Sequence, residues 1–382
     1  MTPDIILVSL SLFTWGVGEG MFFYFQPIYL QQLGASPLEI GSILGAAGLA
    51  MTVAHIPAGY LSDRLGRRPM VWIAWSCGIL SAWLMALART LPAFVTGLLF
   101  YSLTAFVSSP LFSYVTAARG KLPVGRATTL VSAMFNLGAV IGPLLGGSIG
   151  DRFGLKIVYL IAACIFILSL IILLFMHAQP RDYHDPQNPP LNLLSNPRYL
   201  SFLGVSFLAM SVMYLPQPLT PNFLQNERDL SLGMIGRLGS AGGLGNALLN
   251  LALGQLNARL GFLLGQVSVG LFALLLWRGE GVLWYAIGYF LLGGFRAARM
   301  LAFAHVRPLV HQAQMGLAYG ITETVNSLAV AIAPPLAGFL YEQKPILVYP
   351  VSLGLIVLSL LVFIIFAPRG PLTTQSPKAT VH

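Results

Sequence analysis

Charge is scarce in this chain. Asp, Glu, Lys and Arg make up 9% of its 382 residues, against about 25% in an ordinary soluble domain. A surface that poor in charge is solvated mostly by lipid. Cysteine is scarcer still, with only Cys77 and Cys164. That excludes a disulfide framework and a cysteine metal site, and both residues are expected as small, buried, apolar-like side chains inside helices. His-Glu-x-x-His and phosphate-binding glycine loops are absent from the sequence, which removes two common routes to hydrolysis. Gly146-Gly147-Ser148-Ile149-Gly150 matches a nucleophile elbow by letter. That motif needs a strand-to-helix turn, and here it lies near the end of an apolar helix. No metal site, cofactor or enzymatic activity is expected.

What the chain has is apolar length. Runs of 18 or more apolar residues recur almost end to end, each long enough to span a bilayer. Backbone amides in hydrocarbon must bond within their own segment, so the spans are helices. The predicted twelve are Asp4–Leu30, Pro37–Leu61, Pro69–Ala88, Leu91–Ala118, Ala127–Ile149, Leu155–Met176, Tyr199–Leu224, Leu232–Asn257, Leu260–Trp277, Gly281–Ala304, Gln312–Leu340 and Pro345–Ala367. No Lys or Arg precedes the first apolar run and Glu19 interrupts it, so it reads as a retained helix, not a cleaved signal.

The net charge of +9 does not point to nucleic acid, because the basic residues sit in short loops at alternating ends of the helices. With the N-terminus inside, twelve Lys/Arg fall on the inner side and six on the outer side. Positive residues concentrate on the cytoplasmic side, which places both termini there.

The chain repeats itself. A polar, proline-rich linker over 179–198 separates an N-terminal six-helix bundle (1–178) from a C-terminal one (199–367), and 368–382 reads as a disordered cytoplasmic tail. Gln26-Pro27 is echoed by Gln217-Pro218, Ile40-Gly41 by Ile235-Gly236, Arg64-Leu65-Gly66 by Arg259-Leu260-Gly261, and Ile141-Gly142-Pro143 by Ile332-Ala333-Pro334. Such repeats mark transporters with a substrate site between two related bundles. Gly41, Gly45, Gly48, Thr52, His55 and Gly59 share one helical face, as do Gly236, Ser240, Gly243, Ala247, Asn250 and Gly254. Small residues let backbones approach closely, so both stripes are expected as faces along which the bundles slide or rock.

Gly59, Leu61, Asp63, Arg64, Gly66, Arg67 and Arg68 form a tight basic loop pattern after the second span. It resembles the loop signature of major facilitator superfamily transporters. Gly138, Gly142, Pro143, Gly146 and Gly147 resemble the fifth-helix motif of its 12-helix drug/proton antiporters. The resemblance implies an all-α membrane fold of two pseudo-symmetric bundles, with helices one, four, seven and ten lining a central cavity. It also implies alternating access, with Asp63 and its arginines holding the cytoplasmic side closed in one state. One departure stands out: the fourth helix, over Gly97–Pro110, has no charge where those antiporters carry an arginine, and Arg296 and Arg299 lie in its repeat partner.

Ionisable residues inside spans cost roughly 2.5–3.5 kcal/mol each on insertion scales, so they find partners or water. Glu19, Gln26, Gln217, Arg296, Arg299 and Glu323 are the coupling and substrate candidates. Glu19 shares a face with Trp15 and Gln26, and Met210 takes its place in the second half. Glu19 reads as a proton carrier or as the partner of an arginine such as Arg237. Matching depths bring Arg296 within reach of Glu323. His55 reads as interface packing or a proton carrier. The expected function is secondary active, proton-coupled efflux of a small amphipathic molecule by a monomer in the cell (inner) membrane. The alternative is proton-coupled or facilitated uptake of a sugar, nucleoside or organic anion.

Overall fold

A computed structural model describes residues 2–177, 193–310 and 315–368; of residues 55–65, 109, 124–125, 194 and 315–317 only the backbone is described. Most of the expected linker, and the tail from 369, lie outside the described residues. The helices are α1 (Pro3–Phe23), α2 (Gln26–Gln32), α3 (Pro37–Leu65), α4 (Arg67–Leu87), α5 (Leu91–Leu103), α6 (Ser108–Ala118), α7 (Val124–Phe153) and α8 (Leu155–Leu174). The second half holds α9 (Pro197–Tyr214), α10 (Thr220–Glu227), α11 (Leu232–Gly254), α12 (Ala258–Arg278), α13 (Val282–Val306), α14 (Met315–Gln343) and α15 (Val348–Phe366).

Ten spans are long and apolar enough to cross a membrane among the described residues. The other two predicted spans, α9 and α11, fall short of that apolarity. Pro197 and Arg198 take up part of the short α9, and α11 carries many glycines with Arg237, Asn246 and Asn250. Cys77 and Cys164 are exposed, against the burial expected. They lie on outward faces of α4 and α8, where lipid is the solvent.

Three predicted helices are broken, each near proline. At the first break the Phe25 N–H turns back to Phe22 O at 2.9 Å, just before Pro27. The fourth helix divides into α5 and α6 around a 3₁₀ turn, Thr104–Val107. Pro110 has no N–H to offer the preceding turn. Ser102, Thr104 and Ser108 donate to Leu98 O, Tyr101 O and Ala105 O at 2.9, 2.6 and 2.7 Å. The seventh breaks between α9 and α10, where Pro216, Pro218 and Pro221 cluster.

The basic motif is not a loop. α3 runs on through Gly59, Asp63 and Arg64 to Leu65, and Arg67 and Arg68 already open α4. Gly66, at φ +88°, is the whole joint, a conformation that glycine adopts without steric cost. The sequence reading ended the helix early because it took the charges for a solvent loop.

The fifth-helix glycines serve two neighbours. Gly138, Gly142 and Gly146 of α7 face the α1 backbone at Phe13, Val17 and Met21, where an added Cβ would collide. Pro143 and Gly147 face α11 at Gly236 and Leu232. The two bundles meet through α7 on α11 and α3 on α14. Gly41, Gly45 and Gly48 press on Pro334, Pro335 and Ala331, and Ser240 donates to Val140 O at 2.7 Å. All these contacts lie in the halves of the helices away from the linker. Towards the linker side, Ala247, Asn250 and Gly254 are exposed. The stripes are therefore engaged at the outer end and parted along the described inner part of α11.

Candidate functional site

Between the bundles, α1 supplies an acid. Trp15 and Glu19 stand one turn apart, and Glu19 Oε2 accepts from Trp15 Nε1 at 3.2 Å and from the Tyr101 hydroxyl of α5 at 2.9 Å. Trp15 is locked in place. Its ring stacks on Phe166 at 4.0 Å and tilts against Trp75 at 4.9 Å, and it lies over Gly78, where a Cβ would strike it. Trp75 Nε1 in turn donates to Ser169 Oγ at 2.9 Å. A carboxylate held by two donors on rigid rings is well positioned, and Glu19 itself is only half-buried.

The second bundle supplies the cations. Arg299 of α13 forms an ion pair with Glu323 of α14 and donates to Ser327 Oγ at 3.2 Å. Arg296, one turn away, is exposed. Its charge acts on Glu19 and Tyr24 in the first bundle and on Tyr214 in its own, which places it at the junction of the two.

Two expected pairings are corrected. Glu323 takes Arg299, not Arg296. Arg296 and Arg299 stand one turn apart on α13, about 5 Å along its axis, a difference that depth counted along the sequence does not resolve. Glu19 takes Trp15 and Tyr101, not Arg237, which is exposed on α11.

The remaining candidates sort by position. Gln26 is buried at the start of α2, and Gln217 Nε2 donates to Met213 O at 2.8 Å at the matching break. Asn222 of α10 closes the outer end, donating to Pro27 O at 3.1 Å and to Gln31 Oε1 at 2.6 Å. Asn326 Oδ1 accepts from Ser206 Oγ at 3.2 Å inside the second bundle. Ser148 lies within α7, so no nucleophile elbow forms. The side chains of His55, Asp63 and Arg64 lie outside the described residues. Tyr101 and Ser327 were missed because neutral side chains in apolar runs carry no charge signal. An apolar crevice of about 330 Å³ between α4 and α8, lined by Trp83, Ile161, Cys164 and Leu168, faces lipid and has no part in this site.

The profile of the Major Facilitator Superfamily matches residues 8–262 and 202–382. The chain belongs to this superfamily. It is therefore a multi-pass membrane transporter and not an enzyme. It is 26% identical to the enterobactin exporter EntS of Shigella flexneri, over 99% of this chain and 95% of that one. It is 32% identical to an uncharacterised MFS-type transporter of Methanocaldococcus jannaschii over 45% of each chain. It is 25% identical to a putative sugar efflux transporter of Deinococcus radiodurans over 49% of this chain and 50% of that one. The match thus spans about half the length of those last two relatives. In fold it is similar to the nucleoside transporter NupG, at TM-score 0.79 and 15% identity, covering 97% of this chain and all of that one. A peptide transporter POT variant follows at TM-score 0.77 and 14% identity, covering 96% and 95%.

Proposed function

We propose that this superfamily member exports a small amphipathic compound by alternating access, coupled to protons through Glu19, as a monomer in the cell (inner) membrane. The observation that carries the reading is the Glu19 carboxyl, fixed by Trp15 and Tyr101 on a half-buried residue within reach of the Arg296 charge. An acid in that position can take up a proton from one side and release it to the other as the bundles rock. The direction draws on the exporter similar over nearly the whole chain. A second reading, uptake of an organic anion, draws on Arg296, whose charge has no counterion bonded to it among the described residues.

The test is counterflow in proteoliposomes with a substrate panel. Glu19→Gln is expected to retain binding and exchange while losing accumulation driven by a pH gradient. Gradient-driven accumulation at the wild-type level in that variant moves the coupling role to Glu323.

A further inference from the structure

Charge on α13 is unevenly matched. Arg299 is neutralised by Glu323 and held by Ser327. Arg296, three residues earlier, forms no hydrogen bond or ion pair among the described residues and is exposed. An uncompensated guanidinium at this depth costs several kcal/mol unless water or a counterion meets it. It stands where the bundles join, opposite Glu19, yet Glu19 is turned to Trp15 and Tyr101. Tyr24 and Tyr214, both partly exposed and within reach of its charge, add aromatic walls beside it.

We propose that Arg296 binds an acidic group, carboxylate or phosphonate-like, on an aromatic or amphipathic substrate, and that a proton on Glu19 assists this binding. The proposal rests on reading the central cavity as the substrate site, and it is independent of transport direction.

Guanidinium matches such oxyanions with a planar two-pronged donor face, and a charge-assisted pair is about twice as strong as a neutral hydrogen bond. The nearest competitor is Glu19. The titratable groups that act on it are Tyr101 from α5 and Arg296 from α13. The α7 and α8 residues packed against its helix, among them Phe135, Ala139, Ala162 and Phe166, carry no charge. With Glu19 ionised, Glu19, Arg296, Arg299 and Glu323 sum to zero. With Glu19 protonated, one positive charge remains, and it is Arg296. Proton and anion therefore load together, whereas in an exchange of cation for proton they exclude each other. An acid accumulating in the cell would leave with its proton down its own gradient, and an acid outside would enter by the same rule.

The test is calorimetric binding to the purified full chain, with benzoate and phenylphosphonate as probes and benzamide and benzyl alcohol as neutral counterparts. The acids are expected to bind at least about tenfold tighter than the neutral probes, a difference of about 1.4 kcal/mol, and to weaken as pH rises. Arg296→Gln should abolish the preference and Arg296→Lys should keep part of it, while Glu19→Gln should keep acid binding and flatten its pH dependence. Equal binding of acid and neutral probes, no binding of either acid, or acid binding that strengthens with pH overturns the proposal. Counterflow of the same compounds reads the cavity assignment separately. Exchange of the acids unaffected by Arg296→Gln removes the anion site and leaves the transporter. Probe binding without any exchange removes the cavity reading.

Discussion

The carboxylate of Asp151, at the end of α7, accepts a hydrogen bond of 2.8 Å from the backbone N–H of Gly233 at the start of α11. Its repeat counterpart is Glu342, at the end of α14, which accepts from the Leu38 N–H at the start of α3 at 3.2 Å. Each carboxylate meets the positive end of a helix belonging to the other bundle. The two contacts form a symmetric outer clasp, reinforced by Asn222 and Asn226 on Gln31.

The clasp predicts a shift in conformation. Asp151→Ala with Glu342→Ala should raise the outward-open population several-fold. A cysteine at Ser240, now buried against Val140, should then label faster with an impermeant maleimide from outside, in a background lacking Cys77 and Cys164. An unchanged labelling rate rejects the clasp.

Two glycine substitutions should separate stability from switching. Gly146→Ala pushes a Cβ into the Met21 backbone inside one bundle, so it should lower thermal stability by roughly 1–3 kcal/mol, as overpacking does. Gly41→Ala pushes against Pro334 of the other bundle. It should leave the melting temperature near wild type but hinder outer closure, and so slow counterflow.

The Arg299–Glu323 pair should be needed in both parts. Removing one member of a fully buried pair costs roughly 3–5 kcal/mol. These side chains are 21% and 31% exposed, so the cost should fall below that range. Arg299→Ala should destabilise measurably in a detergent melt, and Arg299→Glu with Glu323→Arg should recover part of the loss. Equal melting of wild type and Arg299→Ala would leave the pair without structural weight.

The basic motif carries the remaining proposal. Single cysteines at Arg67 and within 179–198 should label only from the cytoplasm. Asp63→Asn should slow transport strongly while the protein still inserts. A wild-type rate in that variant leaves the motif as a topology signal alone.

The repeat made the helix pairing legible. Gly41 with Pro334, and Gly236 with Pro143, are where small-residue periodicity put contact faces. Depth along a helix was legible only to a turn. Arg296 and Arg299 lie within one turn of α13, so sequence depth alone did not decide which of them Glu323 takes. Tyr101 was hidden because its role comes from the hydroxyl meeting Glu19 across two helices, which no local pattern records. The 3₁₀ turn had a signal, Pro110 after a run of hydroxyl residues, but an apolar count reads straight through it.

The two halves share a backbone plan but not a chemistry. At the position equivalent to Glu19 the second half has Met210, wholly buried in its own core, while the unmatched cation, Arg296, stands on α13. On the roles assigned above, duplication was followed by a division of labour: one copy keeps the machinery that converts energy, and the other meets the cargo. Cargo range can then drift through changes on α13 and α14 without disturbing the α1–α5 pair. New specificities should accordingly arise in the second half first, and a selection experiment on new compounds should collect its mutations there.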